Sequence, residues 1–322
     1  MFSSHVVNPH VPLSGAFHSF VIVNPAAAAG SAGRSWELIA RALRSVLGDF
    51  QHAVTQARGD ATLLTRSALR DGFEMVVAVG GDGTLNEVAG GFFEAGSGVQ
   101  IAPQAVLGVV AVGTGCDFAR SIGQTTLEAA CACLAGRATR NIDVGLANYT
   151  DHNGCAASRI FINVASFGVS GVVARLVSPR LKAVSGQLAF TLATLRALAV
   201  HRDHSVKFEF DGLPARSMAI TNCAIGNGRY FGAGMQVAPG AQLDDGEFDA
   251  TIWSGFGVMD FIRLRGAIRD GSHVNEPGTK VLRTRRAIAT CESTVLVEID
   301  GESVGRLPAR FEVLPAAIRL KV

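Results

Sequence analysis

Apolar and polar positions follow two different periods along this chain, and the change between them divides it into two parts. From His18 to Arg140, apolar runs such as FEMVVAVGG alternate with segments whose apolar positions recur every three or four residues. One such segment, SWELIARALRSVLGDF, places Ile39, Leu43 and Leu47 on one face of a predicted helix. Continuous valine-rich runs between helices are typical of a parallel sheet covered on both faces.

After the segment NIDVG the period shortens to two, as expected for antiparallel strands. Apolar and polar residues alternate in SVKFEF, STVLVEID and RFEVL, which are separated by Gly, Asp, Asn and Pro. One exception, GQLAFTLATLRALAV, predicts a helix because Leu188, Leu192, Leu195 and Ala199 recur at helical spacing. The patterns therefore predict an α/β part followed by a β-rich part.

Composition narrows the class of protein. The chain has 322 residues, 48% hydrophobic and 17% charged, with a net charge of +2, which argues against a nucleic-acid binder held by a broad basic field. We expect no membrane-spanning segment and no signal peptide, because neither a long apolar run nor a basic N-terminus is present. The six cysteines form no C-x-x-C pair, as expected for reduced thiols in a cytoplasmic protein.

The stretch VGGDGTLNEV ends an apolar run in three glycines around one aspartate. Gly80, Gly81 and Gly83 would let the backbone approach a polyphosphate closely, and Asp82 among them calls for a cation or a reacting hydroxyl nearby. The alternative is a tight left-handed turn in which Asp82 caps a helix. The P-loop pattern and the G-x-G-x-x-G fingerprint are both absent, so ordinary Walker ATPases and dinucleotide-binding folds lose support.

Two further loops follow strands in the same way. VNPAAAAGSAGR contains glycines after the first apolar run, and VGTGCDFARSIG places Thr114 between Gly113 and Gly115, with Asp117 following. Ligands of open α/β sheets bind at the carboxyl ends of the strands, where all three loops are predicted to lie.

In order along the chain, these motifs resemble the diacylglycerol kinase catalytic-domain family, which includes sphingosine kinases and bacterial soluble lipid kinases and is distantly related to NAD kinases. The resemblance also covers TQARGDATLLTRSAL, NIDVG, FINVASFGVSG, NGRYFGAGMQVAPGAQLDDGEFD and VEIDGE. It implies a Rossmann-like three-layer α/β nucleotide domain and a C-terminal β-rich sandwich domain that binds the lipid acceptor. The boundaries predicted are a flexible tail at 1–16, a nucleotide domain at 17–140 joined by 304–322, and an acceptor domain at 141–303.

The resemblance implies an ATP-dependent lipid kinase, with Mg²⁺-ATP as phosphoryl donor. Glu302 matches the general base proposed for the family, and Asp82 is the competing candidate. Asp82, Asp117 and Asp143 would organise Mg²⁺-ATP and the acceptor. The residues that would bind the nucleotide are Asn24, Thr55, Gly80, Gly81, Asp82, Gly83, Thr84, Leu85, Asn86 and Thr114.

AQLDDGEF resembles the family's structural Mg²⁺ site. Asp245 would supply a carboxylate oxygen, and Gln242 and Glu247 would supply backbone carbonyls. An ordinary Asp-Gly turn is the alternative. The partner implied is a lipid at a membrane surface, reached by peripheral contact through apolar residues near 176–181 or through the basic segment RTRR. Nucleic acid is not expected as a partner, and a homodimer is left open.

Two positions depart from the family pattern. Cys116 stands where the family usually has Asn, and Ala111 where it usually has Pro. A thiol lacks the donor and acceptor pair of an amide, so nucleotide or acceptor handling could change. Two alternatives to the lipid kinase stay open at this point, namely an NAD kinase and a catalytically weak protein that binds a nucleotide or a lipid.

Overall fold

A computed structural model of the protein describes residues 17–113, 116–177 and 186–322. The predicted tail at 1–16 and the predicted nucleotide ligand Thr114 lie outside the described residues. Strands and helices alternate in the first part of the chain. Its elements are β1 Ser19–Val23, α1 Ala27–Arg34, α2 Trp36–Leu47, β2 Gln51–Val54, α3 Asp60–Arg70, β3 Met75–Gly80, α4 Asp82–Gly91, β4 Val106–Ala111, α5 Asp117–Ser121 and α6 Leu127–Ala135.

The first four strands form a parallel sheet in the order β2, β1, β3, β4. Successive residues of β3 enter apolar clusters on opposite faces of the sheet. Val76 packs with helices α3 and α4, and Val77 packs with α2 and α6. Since apolar side chains leave both faces of the sheet, helices cover both. The three-layer α/β architecture predicted from the valine-rich runs is confirmed.

The rest of the chain is dominated by antiparallel strands. Its elements are β5 Thr139–Asp151, β6 Ala156–Phe161, β7 Val164–Gly168, α7 Val169–Leu176, α8 Gly186–Val200, β8 His204–Phe210, β9 Arg216–Ile220, β10 Asn222–Gly226, β11 Tyr230–Phe231, β12 Met235–Gln236, β13 Phe248–Trp253, α9 Val258–Arg263, α10 Arg265–Asp270, a 3₁₀ turn Ser272–Asn275, β14 Thr279–Thr284, β15 Arg286–Thr290, β16 Leu296–Ile299 and β17 Glu302–Lys321.

A phenylalanine-rich core lies between two layers of these strands. Phe167 of β7 and Phe248 of β13 share one buried cluster with Phe208 of β8 and Phe311 of β17. The rings of Phe167 and Phe208 lie 5.9 Å apart. Along β8, buried residues alternate with exposed ones, as the sequence pattern SVKFEF predicts. The predicted β-rich sandwich is therefore confirmed.

Helix α8 forms where helical spacing predicts it, but Leu188 and Leu192 of the predicted stripe face outward, whereas Leu195 packs against the buried side. Leu188 and Leu192 are 64% and 62% exposed, whereas Ala193 and Ala197 are buried against α7 and the helices after β13. Because nearly every position of this helix is apolar, spacing alone does not determine which face is buried.

The long strand β17 connects the two parts. Its beginning pairs with β16 in an antiparallel arrangement, and its end pairs with β4 in parallel at Arg319–Val106 and Leu320–Leu107. β17 starts at Glu302, so the proposed base lies at the start of the strand that joins the parallel sheet to the sandwich. The domain boundaries given above stay a prediction.

Candidate active site

The loop after β1 is fixed to the glycine turn after β3. The side-chain amide of Asn24 donates a 2.9 Å hydrogen bond to Oγ1 of buried Thr84, and the backbone N–H of Asn24 donates to the carbonyl of Val79. Two predicted nucleotide ligands are thus in direct contact. They lie at the carboxyl edge of the parallel sheet, where open α/β sheets bind ligands.

The backbone of the first loop adopts an unusual conformation. Within the segment labelled α1, Ala28, Ala29 and Gly30 have consecutive φ values of 51°, 56° and 82°, so a non-helical kink interrupts α1 there. Left-handed alanines cost about 1 kcal/mol or more each. Arg34 helps to hold the loop by donating a hydrogen bond to the carbonyl of Ala29. Disfavoured backbone of this kind concentrates at binding sites, and consecutive turn residues form concave groups of N–H donors.

The three glycines of the central turn have different surroundings. A Cβ at Gly80 would lie 2.6 Å from Oγ1 of Thr84, so packing alone requires glycine there. A Cβ at Gly83 would meet no atom within 4 Å. None of the three glycines has a positive φ, and the N-cap of α4 is Gly81, so the alternative of a left-handed turn capped by Asp82 is wrong. The open face at Gly83 allows close approach of a ligand to the backbone.

Asp82 connects the central turn to the third loop. Its carboxylate accepts hydrogen bonds of 3.0 and 3.1 Å from the backbone N–H groups of Asp117 and Phe118. These groups open helix α5 and have no partner within that helix. The structure therefore brings Asp82 and Asp117 together, as the sequence predicted for loops at one sheet edge.

Asp117 is a buried carboxylate whose charge is poorly compensated. Its Oδ2 accepts a 2.9 Å hydrogen bond from the N–H of Ala233, whereas its Oδ1 has no hydrogen-bond partner among the described residues. Nε of Arg120 lies 4.0 Å from Oδ1. Burial, with a further contribution from Asp82, raises the pKa of Asp117 to about 7. An unpartnered carboxylate oxygen beside a second carboxylate fits a hard cation such as Mg²⁺.

Cys116, which departs from the family pattern, is an un-ionised thiol. The thiol is buried and lies 3.7 Å from the carbonyl of Gly113. Burial, then the charges of Asp82 and Asp117, raise its pKa to about 12. Cys116 therefore stays a neutral thiol at the start of α5 and adds no third negative charge beside the two carboxylates.

Asn86 connects helix α4 to the sandwich. Its Nδ2 donates to the carbonyl of Ile160 and to the carboxylate of Asp300, and its Oδ1 accepts from Nε and Nη2 of Arg159. Asn86 is buried, and every polar atom of its side chain has a protein partner. The side chain thus crosslinks the two parts of the protein, and a nucleotide would contact this residue through other atoms or after rearrangement.

Glu302 faces a cleft between the two parts. The cleft has a volume of about 280 Å³ and is lined by Arg58, Arg66, Asn86, Glu87, Arg159 and Glu302. Oε2 of Glu302 forms ion pairs with Arg159, at 2.6 Å, and with Arg58. Burial acts to raise the pKa of Glu302, but the two guanidinium groups outweigh it and hold that pKa below its ordinary value. Glu302 is therefore ionised, and its lowered pKa makes it a weaker proton acceptor than an ordinary glutamate.

Three other predicted site residues have different surroundings. Asp143 accepts hydrogen bonds of 2.7 Å from the N–H groups of Gly246 and Ala316, so it joins the turn after 242 to β17. Leu85 is buried in the core, where only its backbone is available to a ligand. Thr55 lies at the carboxyl end of β2, and its N–H donates to the carbonyl of Val23.

The predicted structural metal site does not fit a metal. Oδ1 of Asp245 accepts a 3.1 Å hydrogen bond from the N–H of Glu247, and Oδ2 forms an ion pair with Arg283. Arg283 also lies 3.0 Å from Oε2 of Glu247. A guanidinium group therefore occupies the space in front of the carboxylate that a cation would need. The other two predicted ligands are the backbone carbonyls of Gln242 and Glu247; Gln242 is exposed on this turn, and ligation by these two carbonyls stays a prediction.

Sequence reasoning missed Arg58, Arg159 and Asp300. Asp300, with φ of 45°, accepts hydrogen bonds from the N–H groups of Ile162, Asn163 and Val164, and burial raises its pKa to about 6. The motif VEIDGE contains Asp300 beside Glu302, so the motif itself carried a signal. Arg58 lies within a quoted motif and Arg159 lies two residues before one, but nothing in their spacing indicates a common carboxylate.

Comparison with known proteins agrees with this geometry. The family model described as diacylglycerol kinase catalytic domain matches residues 18–147, and that described as YegS C-terminal NAD kinase beta sandwich-like domain matches residues 163–322. The chain is 31% identical to a diacylglycerol kinase of Bacillus subtilis (strain 168), over 90% of this chain and 91% of that protein. It is 33% identical to a protein of Pseudomonas aeruginosa (strain UCBPP-PA14) named "Probable lipid kinase YegS-like", over 83% and 82% of the two chains.

A solved structure shares the fold. The crystal structure of a diacylglycerol kinase from Bacillus anthracis str. Sterne superposes with a TM-score of 0.71 at 20% identity, covering 96% of this chain and 98% of that one. The fold, the loops at the sheet edge and these matches define an enzyme of the lipid kinase class. Within that class, the chain belongs to the diacylglycerol kinase family.

Proposed function

We propose that the protein transfers the γ-phosphoryl group of Mg²⁺-ATP to a hydroxyl group of a membrane lipid, such as a diacylglycerol or a sphingoid base. The observation that carries this proposal is the Asp82–Asp117 pair beside a glycine turn with an open face. Phosphoryl transfer needs positioned phosphates and a neutralising cation more than covalent chemistry. The pair and the turn supply protein groups for both.

The nucleotide phosphates would lie against the loop after Asn24 and the turn at Gly81 and Gly83. Backbone N–H groups in such turns bind phosphate oxygens. Asp117, together with Asp82, would hold Mg²⁺ through carboxylate oxygens. When bound, this ion neutralises the charge that develops on the phosphates. The orphaned Oδ1 of Asp117 and the raised pKa of its carboxyl support the assignment.

Glu302 is the better candidate for the base that takes the proton of the lipid hydroxyl. Both oxygens of Asp82 accept backbone hydrogen bonds in the central turn, whereas Glu302 faces the cleft with its Oε2 held by Arg58 and Arg159. Arg159 is fixed by Asn86 and would orient Glu302. Arg58 is 69% exposed at its side chain, so it is free to turn toward an arriving phosphate while Arg159 keeps its place. The guanidinium groups of Arg58 and Arg159, beside the proposed base, suit an anionic phosphoryl group.

The acceptor must come from a bilayer, and we propose that helices α8 and α9 contact it. Leu188, Leu192, Met259 and Ile262 are 55–74% exposed on these two packed helices. Arg265 borders the same surface and supplies positive charge toward anionic lipids. In the part of the chain that the structure describes, no helix is long and apolar enough to cross a membrane.

The basic segment RTRR is less suited to this role. Arg283 and Arg285 form ion pairs with Glu247, and Arg286 forms one with Asp211. Residues 178–181 of the other predicted contact region lie outside the described residues. We expect Leu192→Asp to weaken co-sedimentation with anionic vesicles about tenfold, and charge reversal at Arg286 to leave it unchanged. The opposite ranking would assign docking to the basic segment.

The experiment that tests the proposed function is a transfer assay with γ-labelled ATP and Mg²⁺. Mixed micelles would offer diacylglycerol, monoacylglycerol, sphingosine or ceramide, and soluble NAD would be a separate acceptor. Wild type would be measured beside Asp82→Asn and Glu302→Gln. The matched control is Glu312→Gln, which changes a partly exposed glutamate on the same strand as Glu302 that forms an ion pair with Arg310.

Label in one lipid, lost in both site variants and kept in the control, is the expected outcome. Label in NAD would overturn the choice of acceptor and favour an NAD kinase. Nucleotide binding without transfer to any acceptor would overturn the catalytic proposal and favour a binding protein.

A further inference from the structure

The carboxylates of the acidic segment after Gln242 form ion pairs with arginines from other parts of the chain. Its four carboxylates belong to Asp244, Asp245, Glu247 and Asp249. Each of them lies within 4.0 Å of an arginine nitrogen: Arg140 pairs with Asp244, and Arg283 pairs with the other three. Asp-rich turns that bind Ca²⁺ or Mg²⁺ leave their carboxylate oxygens to the ion, which this turn does not.

The position of Arg283 follows from the sheet. Strands β13 and β14 are antiparallel neighbours, and in their register Asp249 lies opposite Arg283. Residues directly opposite have Cβ atoms about 5 Å apart, so the guanidinium group of Arg283 reaches the turn that precedes β13. Asp249 is 5% exposed, and burial raises the pKa of its carboxyl while Arg283 opposes this. A buried carboxylate at this place needs a nearby cation.

We propose that Arg283 is the resident cation of this turn and that the protein binds no divalent ion there. A guanidinium group carries a permanent charge and five N–H donors, which allows it to serve several carboxylates at once. A metal ion in contact with Asp245 would have to displace Arg283 and would be repelled by it.

The turn matters for the rest of the molecule because Asp143 ties it to other elements. Oδ2 of Asp143 accepts from the N–H of Gly246, and its N–H donates to the carbonyl of Leu243. Leu243 packs into the core of the parallel-sheet part. A cation at the turn therefore stabilises the joint between the two parts, and Arg283 supplies that cation without dependence on ion concentration.

The test is thermal unfolding of the nucleotide-free protein in chelator and in millimolar Mg²⁺ or Ca²⁺. Asp117→Asn is the background for every sample, because it removes the other candidate cation site. We expect no ion-dependent shift in this background. Adding Arg283→Leu is expected to lower the melting temperature and to create an ion-dependent rise of roughly 2 °C or more. Arg283→Lys keeps the charge and is expected to gain no such response.

Two results would overturn the proposal. One is an ion-dependent rise in the background protein that Asp245→Asn abolishes, since that would place a metal at the turn. The other is an Arg283→Leu protein that folds but gains no ion response. If Arg283→Leu does not fold, the comparison of the background with and without Asp245→Asn still decides whether an ion is bound. None of these readouts depends on the proposed transfer reaction.

Discussion

Two clusters of carboxylates in this protein differ in how closely arginine side chains approach them. At the edge of the parallel sheet, Asp117 is buried beside Asp82, and its Oδ1 has no hydrogen-bond partner among the described residues. At the turn before β13, every carboxylate from Asp244 to Asp249 lies within ion-pair distance of an arginine. In the first cluster the one arginine near Asp117, Arg120, approaches its Oδ1 only to 4.0 Å, whereas in the second cluster Asp244, Asp245 and Glu247 each lie within 3.0 Å of an arginine nitrogen.

This difference distinguishes a candidate binding site from a structural cluster of ion pairs. A buried carboxylate such as Asp117, whose Oδ1 accepts no hydrogen bond from the described residues, costs stability and fits a place where an external cation or substrate group completes it. A saturated cluster is already satisfied and contributes to structure. Asp82 and Asp245 each stand in an Asp-Gly turn in the sequence, GGDGT and LDDGEFD, so this pattern alone does not distinguish the two clusters.

The same chemical change in the two clusters should have very different effects on activity. We expect Asp117→Asn to lower the rate of lipid phosphorylation by roughly 10³-fold, because it weakens the hold on the metal ion that neutralises the phosphates. Asp245→Asn should lower it by less than about threefold, as expected for a partly exposed ion pair. The measurement is the labelled-ATP assay at saturating lipid. Equal losses in the two variants would remove the distinction between the clusters.

A variant of Glu302 adds the proposed base to the comparison of the two acidic clusters. We expect Glu302→Gln to reduce turnover by about 10²-fold, in the range found for loss of a general base. The affinity for nucleotide should change little, because the proton transfer and not the phosphate contact is lost. Turnover and nucleotide binding should be measured separately, with Glu312→Gln as control. A variant that loses binding and turnover together would assign Glu302 to the nucleotide site instead.

The crosslink through Asn86 should contribute to stability as well as to position. Asn86→Ala would leave Arg159 and Asp300 without a shared partner in a buried place. The expected loss is about 2 kcal/mol in the free energy of unfolding, in the range for buried hydrogen-bonded groups. Denaturant titration measures it. A loss below the error of that method would mean that other contacts hold the two parts together at the cleft.

The pH dependence of stability should report the charge of Asp117 directly. Its pKa is about 7 in the folded protein and 3.8 ordinarily, so the folded state binds a proton first as the pH falls. Nucleotide-free wild type should therefore gain stability, relative to Asp117→Asn, as the pH is lowered from 8 toward 5, by about 1–2 kcal/mol. Thermal unfolding of both proteins across this range gives the difference. Parallel curves would show that Asp117 is ordinary and ionised throughout.

Much of the fold could be predicted from residue patterns. Valine-rich runs gave the parallel sheet, and period-two segments gave the sandwich, because burial on one or two faces leaves a direct trace in the sequence. The outward leucines of α8 could not be predicted, since an apolar helix has no distinct face until its neighbours are known. The joining role of β17 depends on pairs such as Arg319–Val106, which are far apart in sequence.

The loops of the candidate site could be predicted from the sequence, but the arginines that pair with its carboxylates could not. Gly83 and Asp117 lie in motifs that mark loops at a sheet edge, and the structure brings the loops together. Arg58 and Arg159 meet at Glu302 only because the turn before α3 and strand β6 face each other across the cleft. Asp245 illustrates the reverse case: its motif suggested a metal, and an arginine on a neighbouring strand takes that place.

The most direct test of this account is the binding of Mn²⁺ to the nucleotide-free protein, followed by electron paramagnetic resonance. Mn²⁺ substitutes for Mg²⁺ at oxygen ligands and is detected without turnover. The account predicts that wild type binds the ion, that Asp117→Asn weakens binding at least tenfold, and that Asp245→Asn leaves it unchanged. Binding that is lost in Asp245→Asn and kept in Asp117→Asn would contradict it.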